Sequence, residues 1–215
     1  MIIFLTLILE LVFVANILLF WWIFLRKEEH PGVQIFYKKL FPYIWTITLV
    51  STLLLNSSFF QFMFPSNFSY FQNLYIWFLM LGIVFVAVGF KIISMVRKSF
   101  KLDVVSSNDS ELITTGPYSF VRHPLYLAWS LIFMGWSFIL DSPIATIFIP
   151  FLILFLEIHS TYEEKYIIIP KYGEAYIHYC RKVPSRMFSP PYNYAVIIIG
   201  IIVGYIGLAN FFFPT

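Results

Sequence analysis

Apolar positions in this chain run in long blocks rather than in the alternation of a half-buried strand or the narrow stripe of a surface helix. Four blocks, Ile2 to Leu25, Leu40 to Phe64, Leu74 to Met95 and Tyr194 to Phe213, each meet the length a helix needs to cross a bilayer, about 20 residues for about 30 Å of hydrocarbon. Two shorter blocks, Leu125 to Leu140 and Ile144 to Ile158, are separated by Asp141, Ser142 and Pro143. That spacing predicts a helical hairpin, whose arms either extend into their polar flanks or cross a thin, protein-lined region. Pro150 predicts a kink in the second arm, because proline lacks a backbone donor and crowds the preceding turn. The first block is too long for a signal-peptide core and has no basic residue before it, so a retained helix is expected. The pattern predicts an all-α, polytopic membrane protein with about six transmembrane helices.

Composition agrees with the pattern and narrows the function classes. Of 215 residues, 60% are hydrophobic and 12% charged, against about 25% charged in an average soluble domain, and the mean hydropathy is +0.83. A soluble fold is excluded. The single cysteine, Cys180, excludes a disulfide framework and a cysteine-based zinc site, and His30, His123, His159 and His178 lack metal-ligand spacing. No metal is expected. A net charge of +3 gives no reason to expect a nucleic-acid partner.

Charge placement sets the expected orientation, since short cytoplasmic loops collect Lys and Arg. Arg26, Lys27, Lys38 and Lys39 lie in the first loop, Arg97, Lys98, Lys101 and Arg122 in the second long loop, and Lys165, Lys171, Arg181, Lys182 and Arg186 before the last block. Lys91 sits near the same end of the third block, within snorkelling reach. The segment from Pro65 to Asn73, the hairpin turn and both termini have none. Six crossings with both termini outside and the polar segments cytoplasmic fit every placement. The expected division is a three-helix membrane region over 1–96, a core of loop, hairpin and amphipathic segment over 97–190, and a closing helix over 191–215.

Three polar features are candidates for chemistry. A turn-forming cluster from Ser106 leads into Glu111, Leu112, Ile113 and then Gly116, Pro117, Tyr118. Arg122 and His123 precede Pro124, a suitable first residue for the hairpin's first helix, whose N-terminus would attract anions. Glu157, His159, Glu163 and Glu164 precede a tyrosine-rich stretch containing Tyr172, Gly173, Tyr176 and Tyr179, and the four-residue spacing of His159 and Glu163 puts them on one helix face. Each feature has a plainer reading. Arg122 and His123 also suit an interfacial anchor, the paired glutamates a solvated helix face, and the tyrosines an interfacial belt. Cys180 reads as inert, Glu10 as reaching water near the outer end of its span, and Gly200 with Gly204 as a weak helix-packing pair.

In order and spacing, Gly116, Pro117, Tyr118, then Arg122, His123, Pro124, Tyr126, an apolar hairpin, Glu163, Glu164, and Tyr172, Gly173, Tyr176, Tyr179, Val183, Pro184 resemble the isoprenylcysteine carboxyl methyltransferase family and its phospholipid methyltransferase relatives. The resemblance covers about residues 97 to 187. It implies a membrane enzyme that transfers a methyl group from S-adenosylmethionine to a lipophilic acceptor entering from the bilayer, among membrane lipids. It further implies cofactor contacts at Ser110, Glu111, Leu112, Ile113, Tyr118, His123, Pro124, Leu125, Tyr126 and Glu163. Acceptor or positioning roles fall to Arg122, His159 and Glu164.

The chain departs from that family pattern twice. His159 stands where prenylcysteine enzymes carry an arginine one turn before the glutamate, and imidazole is the weaker anion receptor. The stretch from Glu164 to Gly173, with Ile167, Ile168, Ile169 and Pro170, is about one residue longer. Two other classes stay open on the residues alone. One is an NADPH-dependent sterol or steroid-type membrane reductase, whose second half has a similar order but usually an asparagine where this chain has Leu125. The other is a non-enzymatic transporter or assembly protein, against which stands the gathering of ionisable residues at one end rather than along a path through the spans.

Overall fold

A computed structural model describes residues 75–106 and 112–188, together with scattered helical positions between 8 and 22, between 43 and 50, and at 198. The rest of the first two expected spans and of the closing helix, including Gly200 and Gly204, and the candidate residues Ser110 and Glu111 lie outside the described residues. Among the described residues all regular structure is helical. Helix α1 spans Tyr75–Ser106, a 3-10 turn spans Gly116–Ser119, and the hairpin is α2 (Pro124–Ile139) followed by α3 (Pro143–Glu163). A π-helical turn, Glu164–Ile168, then leads into α4 (Ile169–Tyr172) and α5 (Glu174–Lys182).

The third apolar block is the long helix that the pattern predicts. Tyr75–Ser99 of α1, 25 residues containing an 18-residue stretch with a mean hydropathy of 2.5, is long and apolar enough to cross a membrane. The helix continues unbroken past residue 97 to Ser106. It packs antiparallel on α2, and glycine permits the close approach. A Cβ on Gly135 would stand 2.6 Å from the Gly82 carbonyl oxygen and 2.7 Å from Val86 Cγ2, and one on Gly89 would stand 2.5 Å from Ile132 Cγ1. The backbones therefore meet where side chains would hold them apart. At the far end Tyr75 donates its hydroxyl to the Ile139 carbonyl at 3.1 Å.

The hairpin forms where Asp141, Ser142 and Pro143 interrupt the apolar run. Asp141 takes φ 47°, a left-handed conformation that a short polar side chain tolerates. The Ser142 amide reaches back to the Ser137 carbonyl at 2.9 Å, capping α2. Pro124 is the first residue of α2 and Pro143 of α3, positions where a missing amide proton costs nothing. Of the two ways to lengthen a short arm, α3 extends into its polar flank, running 21 residues through Pro150 to Glu163. Phe133, Phe138, Phe148, Leu152, Ile153 and Met187 are buried between the arms and the chain returning after α5. Trp77, Met80, Trp129, Phe151 and Leu154 are exposed.

The extra residue after Glu164 is accommodated locally. In the π turn the Ile169 amide bonds to the Glu164 carbonyl, a five-residue step that takes up one residue more than an α turn. Pro170 follows, and in a continuous α-helix it would leave the Tyr166 carbonyl without a donor and clash with it. The wide turn relieves that conflict and lets the chain run on to Gly173, whose φ of 54° reverses it into α5.

Candidate functional site

The site begins with two segments that the fold lays side by side. The amide of Arg122 donates to the Ser185 carbonyl at 2.9 Å, and the amide of His123 to the Arg186 carbonyl at 2.8 Å. The turn before α2 is thereby fixed to the stretch after α5, 63 residues away along the chain for both pairs (185 − 122 and 186 − 123). The end of α3 and the π turn bring Glu163 and Glu164 against this pairing.

Glu164 is the hub. Its Oε1 accepts from Arg122 Nε at 2.8 Å and lies 3.0 Å from His123 Nε2. Its Oε2 accepts from Arg186 Nε at 3.1 Å and more distantly from Arg122 Nη2 at 3.4 Å. An ionised carboxylate only accepts, so His123 carries its proton on Nε2 in this arrangement. Burial opposes the charge, but the donors from His123, Arg122 and Arg186 outweigh it and hold the carboxyl at about 2. Arg122 is consumed by the same lock, since its Nη1 donates to the Val183 and Pro184 carbonyls, each at 2.8 Å. Burial disfavours its charge, yet the Glu164 partner leaves the guanidinium above its ordinary range. The side chains of Arg122 and Glu164 are each only 7% exposed, which removes the anchor reading of Arg122 and the solvated-face reading of Glu164.

Glu163 is the open member of the pair. Its side chain is 29% exposed, and its Oε2 accepts from the Tyr126 hydroxyl at 2.7 Å and stands 3.5 Å from His123 Nδ1. The Tyr126 ring stacks on the His123 ring, with centroids 5.3 Å apart and planes at 3°, and meets the His159 ring edge-on at 5.6 Å. His159 and Glu163 thus reach one phenol from one helix face, as their spacing predicts. Burial, followed by the charge of Glu163, pushes the Tyr118 phenol up. Tyr179 donates its hydroxyl to the Tyr118 carbonyl at 2.6 Å, tying the 3-10 turn to α5.

Tyr176 and Tyr179 are buried with Val183, and Leu112 and Tyr172 pack on them. These tyrosines form the floor of the site rather than an interfacial belt. Cys180 lies beside them, and burial pushes its thiol up, as an inert cysteine requires. Pro124 is buried, while Ile113 and Leu125 are half-buried. The structure therefore brings Tyr118, Arg122, His123, Tyr126, His159, Glu163 and Glu164 together from four elements.

One contributor was not singled out in the sequence. Arg186 reads there as one more cytoplasmic charge, and no local motif distinguishes it. Gly116 carries φ 60°, and a Cβ there would stand 2.5 Å from Ser99 Oγ, so glycine seats the 3-10 turn on the end of α1. The arrangement as a whole offers a half-open carboxylate framed by aromatic rings beside the first turn of α2. Leu125 and Tyr126 supply amides in that first turn that have no partner within the helix.

Comparison with known proteins gives a consistent picture. Residues 75–169 match the model of the isoprenylcysteine carboxyl methyltransferase (ICMT) family, so the match starts with α1, earlier than the motifs alone, and ends just past the π turn, at the first residue of α4. The chain is similar to protein-S-isoprenylcysteine O-methyltransferase of Mus musculus, 31% identical over 39% of this chain and 31% of the relative. It is similar to that of Homo sapiens at 30% identity over 38% and 28%, and to that of Schizosaccharomyces pombe at 31% over 41% and 38%. The matched stretch spans about a third of the length of these relatives. No solved structure matches.

Proposed function

We propose that this chain is an integral membrane methyltransferase that takes its methyl group from S-adenosylmethionine and passes it to a lipophilic acceptor, of which a prenylated cysteine carboxylate is the example the relatives' name supplies. The observation that carries the reading is Glu163. It is a half-open carboxylate, bonded by Tyr126 and set beside His123, inside the stretch that matches the family model. The residues fit the cofactor's chemistry. A sulfonium and an ammonium call for an anion and aromatic faces, which Glu163, Tyr126 and Tyr118 provide. A carboxylate calls for amide donors, which the first turn of α2 provides.

When bound, S-adenosylmethionine supplies a methyl group already activated on sulfur. The protein's task is then to align an acceptor and exclude water. Glu163 holds cationic character, Tyr126 fixes the Glu163 carboxylate, and His123 braces both while anchored to Glu164. Leu112, packed on the buried tyrosines, and Ile113 lie on the cofactor side, and Ser110 and Glu111 precede them in the sequence. A carboxylate or thiolate acceptor requires no base. For an amine acceptor His159, set against the Tyr126 ring, is the proton acceptor, because Glu164 already accepts from three side chains. The acceptor's tail lies among the apolar helix faces, and six crossings with the polar segments cytoplasmic place the cofactor's entry on that side. The core over 97–190 carries the chemistry, between membrane regions over 1–96 and 191–215.

Transfer of labelled methyl from S-adenosylmethionine into an organic-extractable acceptor is the test. Glu163→Ala and His123→Ala lower transfer by roughly tenfold to a hundredfold, the usual worth of one charged hydrogen bond, through weaker cofactor binding. His159→Ala changes acceptor turnover with cofactor affinity intact. Full transfer in both of the first two variants contradicts the assignment.

A further inference from the structure

The two arginines on Glu164 are used very differently. Arg122 spends Nε, Nη1 and Nη2 on Glu164 and two backbone carbonyls and is 7% exposed. Arg186 makes one bond, from Nε to Glu164 Oε2 at 3.1 Å, and its side chain is 35% exposed. Among the described residues its two amino groups, with four N–H donors, have no hydrogen-bond partner. Arg122 and His123 already serve Glu164 Oε1, so Arg186 commits only its Nε, to Oε2. Glu157, on α3 about two turns before Glu164, lies in the field of Arg186 without an ion pair to it among the described residues.

Arg186 is also held rigidly. Its carbonyl accepts from the His123 amide at 2.8 Å, and Met187 beside it is 1% exposed, within the core. A guanidinium steered by its Nε onto a buried carboxylate presents its other edge in a fixed plane, the geometry that receives a planar or tetrahedral oxyanion through two parallel bonds. An arginine that served only as an interfacial anchor would turn its head to water; this one is turned inward onto the hub of the site.

Resting on the methyltransferase reading for the identity of the ligand, we propose that Arg186 is the acceptor-binding residue of this site and receives an oxyanion of the lipophilic acceptor, a carboxylate or a phosphate, on its free amino edge. This places the anion receptor on the segment after α5, opposite α3. It gives the site a permanent cation, where α3 offers only the imidazole of His159 against the Tyr126 ring.

The experiment measures equilibrium binding to the full chain in phosphatidylcholine nanodiscs of three probes with one tail: hexadecanoate, hexadecanamide and hexadecyl phosphate. Binding of S-adenosylhomocysteine is followed in parallel. The wild type prefers at least one anionic probe over the amide by roughly tenfold, and whichever anion is preferred identifies carboxylate or phosphate as the source. Arg186→Gln loses that preference, Arg186→Lys restores part of it as a point charge without the fork, and both variants bind S-adenosylhomocysteine within about twofold of wild type. Equal binding of amide and anions by the wild type, or an anion preference that survives in Arg186→Gln, overturns the proposal. So does loss of S-adenosylhomocysteine binding in both arginine variants, which reduces Arg186 to a structural brace. Absence of S-adenosylhomocysteine binding in the wild type, with the Arg186-dependent anion preference intact, instead overturns the methyltransferase reading and leaves the anion site standing.

Discussion

Glu163 and Glu164 are neighbours in sequence with opposite fates. One is partly exposed beside Tyr126 and His123 and the other is buried beneath three donors, because the helix turns about 100° between them. The motif order made His123, Tyr126 and Glu163 legible, and the four-residue spacing made His159 legible as their companion. The ion-pair hub was not, since its partners stand 42 and 22 positions from Glu164 and no local pattern pairs residues over such distances. A specific acid dependence follows from the hub. The Glu164 carboxyl is held at about 2 against an ordinary value of 4.5. Its contribution to stability is complete above the ordinary value and is lost as pH falls from there towards 2, because the unfolded chain takes up the proton first. Thermal unfolding of the detergent-solubilised protein between these limits shows that decline in the wild type. Glu164→Gln lacks it and is roughly 3–5 kcal/mol less stable at neutral pH, the cost of stranding buried charged partners. An unchanged acid profile in the variant contradicts the hub's role.

At the scale of elements, the hairpin follows directly from its sequence, because three turn-forming residues interrupt a run that is otherwise apolar. The amphipathic tyrosines were readable as a helix but not as a floor, since an interfacial belt and a buried face share one pattern until the partner is known. Leu112 and Ile168 are that partner. The π turn was legible only as a surplus residue before Pro170. The α1–α2 seam escaped altogether, since Gly82, Gly89 and Gly135 are single glycines in apolar runs and show their purpose only when the helices are laid antiparallel. Gly135→Leu therefore drives a side chain into the Gly82 carbonyl and Val86 and destabilises the protein by roughly 1–3 kcal/mol or more, as overpacking does. Thermal unfolding of that variant reads the effect, and a midpoint equal to wild type contradicts the close approach.

At the scale of the whole molecule, among the described residues one end of an apolar helical assembly gathers the ion pairs. α1 and the hairpin hold the return segment and the end of α3 in register, and the ionised hub fixes that register. The pocket acid Glu163 is left as the exposed product of the arrangement. The long apolar blocks made the membrane character legible from sequence, while the count of crossings rests on apolar blocks that lie partly outside the described residues and their orientation on charge placement alone. The central claim, that the pocket around Glu163 takes an S-adenosyl cofactor, is tested most directly by equilibrium binding of S-adenosylhomocysteine, against NADPH, to the purified full chain with Glu163→Ala and His123→Ala alongside. Saturable binding of S-adenosylhomocysteine that both variants lose, with no binding of NADPH, is the predicted result; binding of NADPH alone, or of neither ligand by a folded sample, contradicts it.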